Sequence, residues 1–244
     1  MSQKKQRKNE GNAMWTDFHS HVLPGIDDGA KDVKEASVML HTMENQQVKT
    51  VFATPHYYAH CEKIEDFVEK RQVACTQLEE AKGDSMKVAL RMAAEVALEP
   101  EICRLDLTPL FYEDLSAVLL ELPASHYKSW MSQEIEEVAY TFSVIPILAH
   151  FERYLWYERE GLRELLRLPK VVVQISANML ANRETMDLIK DLYSLGIPVL
   201  LGSDAHNCGT RPVCFDIAQK ILKKRKYGEL EAWITESTQM ILSS

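Results

Sequence analysis

The chain has 244 residues, of which 46% are hydrophobic, and its formal net charge at pH 7 is −8. This length and composition favour one domain with a substantial core. The acidic balance argues against a nonspecific nucleic-acid binder, which needs basic side chains to neutralise phosphates. No apolar run approaches the ~20 residues of a transmembrane helix, so we expect no membrane insertion.

The first thirteen residues are polar and include four basic side chains, and no apolar stretch follows them. They therefore lack the apolar segment of a signal peptide. We predict a disordered N-terminal tail over 1–13 and a single domain over 14–244. The chain has an odd number of cysteines, and none of them are spaced as paired zinc ligands. Both features favour a reducing, cytoplasmic location over a disulfide framework. These cysteines are Cys61, Cys75, Cys103, Cys208 and Cys214.

Seven short apolar runs recur along the chain, and we predict a strand for each. In chain order the runs span 17–21, 50–56, 88–95, 118–121, 144–150, 171–176 and 199–206. Segments with helical periodicity separate the runs, and we predict helices over 32–47, 64–78, 126–142, 162–168, 180–195 and 211–226. This alternation predicts an α/β fold with parallel strands and crossover helices. Seven strands favour a closed barrel over an open sheet.

Six of these runs end at a residue that can bind a divalent metal, and only the run 171–176 does not. In a parallel barrel the C-terminal strand ends meet at one end, its mouth, so side chains that are distant in sequence converge there. A carboxylate in the loop after the first run adds to them. We therefore predict eight metal ligands: His19, His21, Asp28, His56, Glu95, His150, Asp204 and His206.

The first two ligands are two residues apart, so both imidazoles project from the same face of an extended strand. For Asp28 the alternative is helix capping by Asp27, Asp28 or Asp32. Asp27 and Asp28 are adjacent and precede the helix predicted over 32–47.

Glu95 ends an apolar run, where a buried carboxylate requires a counter-ion or a metal. Glu99 is the competing choice. Glu121 also ends an apolar run, and a salt bridge to an arginine would satisfy it equally well.

Eight ligands exceed the four that one zinc ion uses and the six that a manganese-type ion uses. The sequence therefore predicts a cluster of two or three ions, with Glu95 as the shared carboxylate. Imidazole and carboxylate ligands without cysteine suit manganese, iron or zinc.

Five motifs resemble those of the polymerase and histidinol phosphatase (PHP) superfamily. They are His19-Ser20-His21, Thr54-Pro55-His56, Glu95, Ala149-His150 and Ser203-Asp204-Ala205-His206. The string from His19 to Ala30 resembles the signature of the bacterial tyrosine-phosphatase branch, which is linked to capsule and exopolysaccharide regulation. The resemblance spans residues 18 to about 225. Phe151, where relatives commonly have proline, and Asn178, where they have a small residue, depart from the pattern.

This resemblance implies a single PHP metallophosphatase domain with a distorted (β/α)7 TIM-like barrel. It implies three metal ions, usually Mn2+, and hydrolysis of phosphotyrosine on a cytoplasmic bacterial tyrosine kinase. It also makes Arg153 and Arg211 candidate phosphate clamps, for which salt bridges to Glu152 or Asp216 are the alternative. A homo-oligomer is compatible with the sequence.

Water that bridges two metal ions ionises near neutral pH, so no covalent intermediate is needed. A thiol phosphatase mechanism is excluded because no cysteine is followed by arginine six positions later. Glu121 is the candidate general acid. Aromatic residues that could form a wall for the substrate ring are Tyr57, Tyr58, Tyr154, Trp156 and Tyr157.

Three other functions share some of these features. The first is a PHP phosphatase of a small metabolite such as histidinol phosphate. The second is a metal-dependent deoxyribonuclease or amidohydrolase barrel, which the Asp-x-His and Thr-Pro-His motifs make less favourable. The third is a catalytically inactive regulator that binds a kinase, against which the intact ligand set argues.

Overall fold

The computed structural model describes residues 14–83, 86–156 and 159–244. The tail predicted over 1–13 lies outside the described residues. Within them are nine strands: β1 (Trp15–Ser20), β2 (Val48–Ala53), β3 (His56–Tyr57), β4 (Ala89–Met92), β5 (Glu95–Ala97), β6 (Ala117–Glu121), β7 (Ile145–Leu148), β8 (Val172–Ser176) and β9 (Val199–Gly202).

Two of the seven predicted runs are each divided into two strands. Thr54 and Pro55 separate β2 from β3, because proline has no N–H for the ladder. Ala93 and Ala94 separate β4 from β5, and this interruption lies beside the first one. Backbone hydrogen bonds bridge both interruptions, from Ala93 N to Ala53 O at 2.9 Å and from Glu95 N to Pro55 O at 3.0 Å. The seven predicted runs therefore correspond to the seven strand positions of a barrel. We term each position a stave, whether its strand is continuous or interrupted.

All strand pairs are parallel, and neighbouring staves follow one another in chain order. One sheet has the order β1-β2-β4, and the other has the order β3-β5-β6-β7-β8-β9. The last stave returns to the first through a bridge between Ser20 and Ala205. Asp204 N also donates to His19 O at 2.7 Å. The predicted α/β barrel is thus confirmed as a curled, parallel, single-domain fold.

Seven helices lie within the described ranges: α1 (Val33–Asn45), α2 (Ile64–Lys82), α3 (Ser129–Phe142), α4 (Arg159–Leu165), α5 (Arg183–Leu195), α6 (Phe215–Leu222) and α7 (Gly228–Leu242). The first six fall within or overlap the predicted helical segments. The sequence prediction omitted α7, although its buried residues Leu230, Ile234 and Ile241 have helical spacing. None of the helices in these ranges has the length and hydrophobicity that crossing a bilayer requires.

The barrel interior is a packed apolar core below the mouth. Its side chains come from the strands, from the segment before β6 and from the last turn of α7. Tyr112 donates its hydroxyl to Phe18 O at 2.7 Å and so anchors this segment inside the barrel. Apolar side chains therefore fill the lower barrel and leave the mouth for polar side chains. The buried members of this core are Phe18, Phe52, Ala93, Tyr112, Leu115, Ala117, Leu119, Ile147, Ala149, Val172, Leu200 and Ile241.

Candidate metal centre

The two histidines of the first strand end meet a carboxylate from the third stave. Nε2 of His19 lies 3.1 Å from Nε2 of His21. Oε2 of Glu95 lies 3.0 Å from the first of these nitrogens and 3.2 Å from the second. All three residues are buried. The structure therefore brings together three side chains that are up to 76 positions apart in the sequence.

The potential ligands form three overlapping groups, in each of which one atom per residue lies within 4.8 Å of the others. The groups are His21, Asp28, His56 and His206; His19, His21 and Glu95; and His56, Glu95 and Glu121. Any two groups share one residue. Glu121, which the sequence analysis assigned to acid catalysis, belongs to the third group.

His150 and Asp204 are outside these groups but contact them. Nε2 of His150 lies 2.9 Å from Oε1 of Glu95, and Oδ1 of Asp204 lies 3.5 Å from Nε2 of His21. Both have left-handed backbone conformations, with φ of 31° at His150 and 50° at Asp204. Such non-glycine conformations cost about 1–3 kcal/mol each and concentrate at functional sites. The chain therefore turns sharply where each of these two side chains enters the mouth.

Two residues orient the histidines of the first strand. Oε1 of Gln174 lies 2.8 Å from Nδ1 of His19, and Oδ2 of Asp27 lies 2.7 Å from Nδ1 of His21. These acceptors fix the proton on Nδ1 and leave Nε2 free to bind a metal. Gly202 leaves room for this arrangement, because a Cβ there would lie 2.5 Å from Cβ of His19 and 2.7 Å from Nε2 of Gln174.

The three aspartates of the loop after β1 have different roles. Asp32 caps α1 by accepting from Glu35 N at 2.8 Å. Asp27 also accepts from His56 N at 3.1 Å. Oδ1 of Asp28 lies 3.3 Å from Nε2 of His206 and 3.4 Å from Nε2 of His56. The alternative that Asp28 serves as the helix cap is therefore wrong.

The contacts of the competing carboxylates differ. Oε1 of Glu99 lies 2.8 Å from Nδ1 of His60, and neither residue belongs to the three groups. Glu121 faces His150, with 3.3 Å between Oε1 and Nε2. Among the described residues it has no arginine partner.

The electrostatics of the centre depend on burial and on the proximity of opposite charges. Burial raises the pKa of Glu95, but the neighbouring His19, His150 and His21 outweigh it and hold that pKa well below its usual range. Burial lowers the pKa of His150, yet the carboxylates of Glu121 and Glu95 raise it to about 9. These imidazoles therefore lie in a strongly negative environment that favours cations.

His206 differs from its neighbours. Burial and the adjacent charge of His21 lower its pKa to about 4. Its Nδ1 lies 3.0 Å from the backbone oxygen of Asp204, so the ring is held in one orientation. At neutral pH this imidazole is uncharged, which is the form that binds a metal.

Three buried polar atoms at this centre lie close to other side chains but make no hydrogen bond of good geometry with any described residue: His56 Nδ1, Glu95 Oε2 and His206 Nε2. Buried polar atoms are almost always hydrogen-bonded, so a cluster of such exceptions fits side chains that bind a cation. The mixture of nitrogen and oxygen donors suits manganese, iron or zinc.

Two arginines border the centre, and both contact Asp204. Nη2 of Arg211 lies 3.0 Å from each carboxylate oxygen of Asp204, and Arg153 makes a direct ion pair with Oδ2. Each guanidinium side chain is 38% exposed, so both face the open mouth. Neither makes the alternative salt bridge, because Glu152 accepts from Ser176 N and Asp216 pairs with Lys220.

Of the aromatic residues predicted to form a wall, Tyr58 lies beside the centre. Its ring stacks on His56 with 5.5 Å between centroids. Tyr57 is instead buried against Phe67, so its assignment to the wall is wrong. Tyr154 is also buried and donates to the backbone oxygen of Leu122. Tyr157 lies outside the described residues.

The chain is similar in sequence to known proteins. It is 25% identical to the tyrosine-protein phosphatase YwqE of Bacillus subtilis over 243 residues, which cover 93% of this chain and 91% of the relative. It is 26% identical to the tyrosine-protein phosphatase CpsB of Streptococcus pneumoniae over 88% of this chain and 92% of that relative.

The chain is also similar to a solved structure from the crystal structures of YwqE and CpsB, two metal-dependent tyrosine phosphatases. It superposes with a TM-score of 0.75 at 22% identity, covering 93% of this chain and 94% of that chain. This similarity independently supports the barrel fold. The family model described as capsular polysaccharide synthesis, CpsB/CapC, matches residues 15–242. The chain therefore belongs to the CpsB/CapC family.

Proposed function

We propose that this chain is a metal-dependent protein-tyrosine phosphatase. The observation that carries the proposal is the set of three overlapping ligand groups around Glu95, with two partly exposed arginines beside it. Phosphate monoesters need both a nucleophile and charge stabilisation, and this arrangement can supply both. The relatives named as tyrosine-protein phosphatases, at 25% and 26% identity, support the same conclusion.

The centre would hold three ions, most favourably Mn2+, with iron or zinc as alternatives. The proposed ligands are His19, His21, Asp28, His56, Glu95, His150, Asp204 and His206, and Glu121 contributes a carboxylate to the third group. When bound, such ions lower the pKa of water from 15.7 to about 7 and offset phosphate charge. Gln174 and Asp27 keep the imidazoles of His19 and His21 directed toward the centre.

The residues at the rim bind and orient the phosphate. Arg153 and Arg211 donate hydrogen bonds to its non-bridging oxygens, and Asp204 holds both guanidinium groups at the same side of the mouth. Tyr58 borders the space for the substrate ring beside His56. Phenolate is a tolerable leaving group, so a dedicated general acid matters less than it would for an alkyl phosphate.

The proposed substrate is a phosphotyrosine protein, specifically a bacterial tyrosine kinase of capsule or exopolysaccharide synthesis. The description of the family, which refers to capsular polysaccharide synthesis, supports this choice. A cytoplasmic location follows from such a partner and agrees with five cysteines that are all free.

A substrate panel tests the proposal. Purified protein should hydrolyse a phosphotyrosine peptide and a chromogenic aryl phosphate, lose this activity on chelation and regain it with Mn2+. Glu95→Gln should lower turnover at least about 100-fold. Glu99→Gln is the matched control, because Glu99 pairs with His60 outside the ligand groups.

Two outcomes would contradict the proposal. Full turnover after complete metal removal would exclude metal catalysis. Hydrolysis of histidinol phosphate without hydrolysis of phosphotyrosine would favour the small-metabolite phosphatase.

A further inference from the structure

A cavity of about 940 Å³ lies beside the metal centre. It is bounded by the segment from Tyr57 to Lys63, by the first half of α2 and by the turn around Leu105 to Pro109. None of the proposed metal ligands lines this cavity, which we name the α2 groove. It is therefore a separate surface that borders the centre.

The α2 groove is continuous with the mouth of the barrel. Tyr58 stacks on His56 at the centre, and its other neighbour is His60, with 6.0 Å between their rings. His60 and the adjoining Ala59 line the groove. A polypeptide whose phosphotyrosine enters the mouth would therefore reach the groove within about five extended residues, at ~3.3 Å per residue.

Apolar side chains line the α2 groove. Ile64 and Val68 are partly buried against the main core and form its floor. Val73 and Leu105 also line the groove and are 53% and 40% exposed. Clustered apolar side chains of this kind mark surfaces that bind an apolar group of a partner.

The rim of the α2 groove is acidic. Its lining includes four carboxylates and only one lysine, Lys63. The carboxylates are Glu62, Glu65, Glu69 and Asp106. Glu62 pairs with Lys70 at 2.6 Å, whereas Glu65 and Glu69 form no ion pair with another described residue. Unpaired acidic side chains around an apolar floor are complementary to an apolar side chain flanked by lysine or arginine.

A second cavity of about 780 Å³ lies on the other flank of α2. Glu69 and Val73 line both cavities and therefore form the ridge between them. The opposite wall of the second cavity is the segment from Pro24 to Ile26, in the loop that carries Asp27 and Asp28. Open cavities of this kind suit a flanking polypeptide better than an enclosed small molecule.

We propose that the α2 groove binds the polypeptide that flanks the phosphotyrosine of the substrate, and that it selects an apolar residue with basic neighbours. This inference rests on the proposed phosphatase function and makes it more specific. Residues of the groove would contact the flanking polypeptide and not the reacting phosphate. Their proposed role is therefore substrate selection and not catalysis.

Matched phosphotyrosine peptides test this inference. One peptide carries leucine and two lysines beside the phosphotyrosine, and its partner carries serine and two glutamates. Both are prepared with the variable residues before or after the phosphotyrosine. The wild-type chain should show at least about fivefold higher kcat/KM for the Leu/Lys peptide on one side, and raised ionic strength should weaken that preference.

A charge reversal identifies the groove as the cause. Glu65→Lys combined with Glu69→Lys should abolish or invert the peptide preference, expressed relative to kcat/KM for an aryl phosphate. Glu136→Lys combined with Glu137→Lys is the matched control, because these exposed residues lie on α3 and do not line the groove. A third peptide with serine and two lysines isolates the apolar contribution, and Leu105→Asp should remove the preference for leucine over serine between it and the Leu/Lys peptide.

Equal kcat/KM for the two peptides in the wild type, or an unchanged preference in the Glu65/Glu69 double variant, would overturn the inference. Failure of the wild type to hydrolyse any aryl phosphate would instead overturn the proposed function. After chelation of the metal, which should stop hydrolysis, fluorescence anisotropy with the same labelled peptides measures groove binding without turnover. It therefore tests the inference separately from catalysis.

Discussion

The side-chain oxygen of Gln174 lies 2.8 Å from Nδ1 of His19 and also accepts the backbone N–H of His150 at 2.7 Å. One amide on β8 thus positions two proposed ligands from β1 and from the end of β7. This strand is the only one of the seven staves that supplies no proposed ligand. Its contribution is to hold ligands that come from other strands.

Removing this acceptor should weaken metal binding. Gln174→Leu leaves Nδ1 of His19 and the N–H of His150 without their partner, and loss of such an outer hydrogen bond typically lowers metal affinity about 10- to 100-fold. Titration calorimetry with Mn2+ measures the change. Gln133→Leu, at an exposed position of α3, is the control. Equal affinities in the two variants would show that Gln174 has no orienting role.

Both arginines should contribute to turnover of phosphotyrosine. Arg153→Met or Arg211→Met removes donors to the phosphate oxygens, and we expect kcat to fall by about 100- to 1,000-fold. Arg211→Lys keeps the charge but loses the planar fork, so it should recover only part of the activity. Steady-state kinetics would refute the clamp if either methionine variant kept a wild-type kcat.

Asp17 should make the stability of the metal-free chain depend on pH. Burial raises its pKa to about 6, although Ser203 N and His19 N donate to Oδ1 at 2.7 and 3.1 Å. The pKa of Asp17 in the folded chain exceeds its unfolded value of 3.8. Its contribution to the free energy of unfolding is therefore fully present below pH 3.8 and is lost as pH rises through about 6.

Asp17→Asn should therefore be more stable than the wild type at pH 8, by about 1–3 kcal/mol, and should lose that advantage at pH 4. Urea denaturation of the metal-free proteins at both pH values measures the difference in free energy of unfolding. The same difference at pH 4 and at pH 8 would contradict the raised pKa.

The cysteines should be dispensable for catalysis. Burial raises the pKa of the Cys214 thiol, which opposes formation of a thiolate nucleophile. No cysteine belongs to the ligand groups found in the described ranges. Cys208→Ser and Cys214→Ser should therefore keep aryl phosphatase turnover within about twofold of the wild type. A loss of turnover that accompanies normal metal content would restore a thiol mechanism.

Periodicity predicted the barrel because each stave is a short apolar run that ends at a polar residue. Convergence at the mouth then followed from the parallel topology, and the structure brings the eight proposed ligands and Glu121 together at that end. Their convergence was predictable because strand direction fixes which end of a run reaches the mouth; their role as ligands stays a prediction.

Other features depend on contacts that linear spacing does not contain. Gln174 lies in an apolar strand with no motif, and only the folded barrel places it against His19. Asp27 and Asp28 are adjacent, and their division into a histidine partner and a proposed ligand depends on the turn between them. The omitted helix α7 had a readable helical period but carried no residue of the predicted centre.

Anomalous diffraction from crystals soaked in Mn2+ would locate the ions relative to the proposed ligands. We expect three anomalous peaks, one within each ligand group, with Glu95 between two of them. Peaks elsewhere on the protein, or no peak within bonding distance of Glu95, His21 and His56, would contradict it.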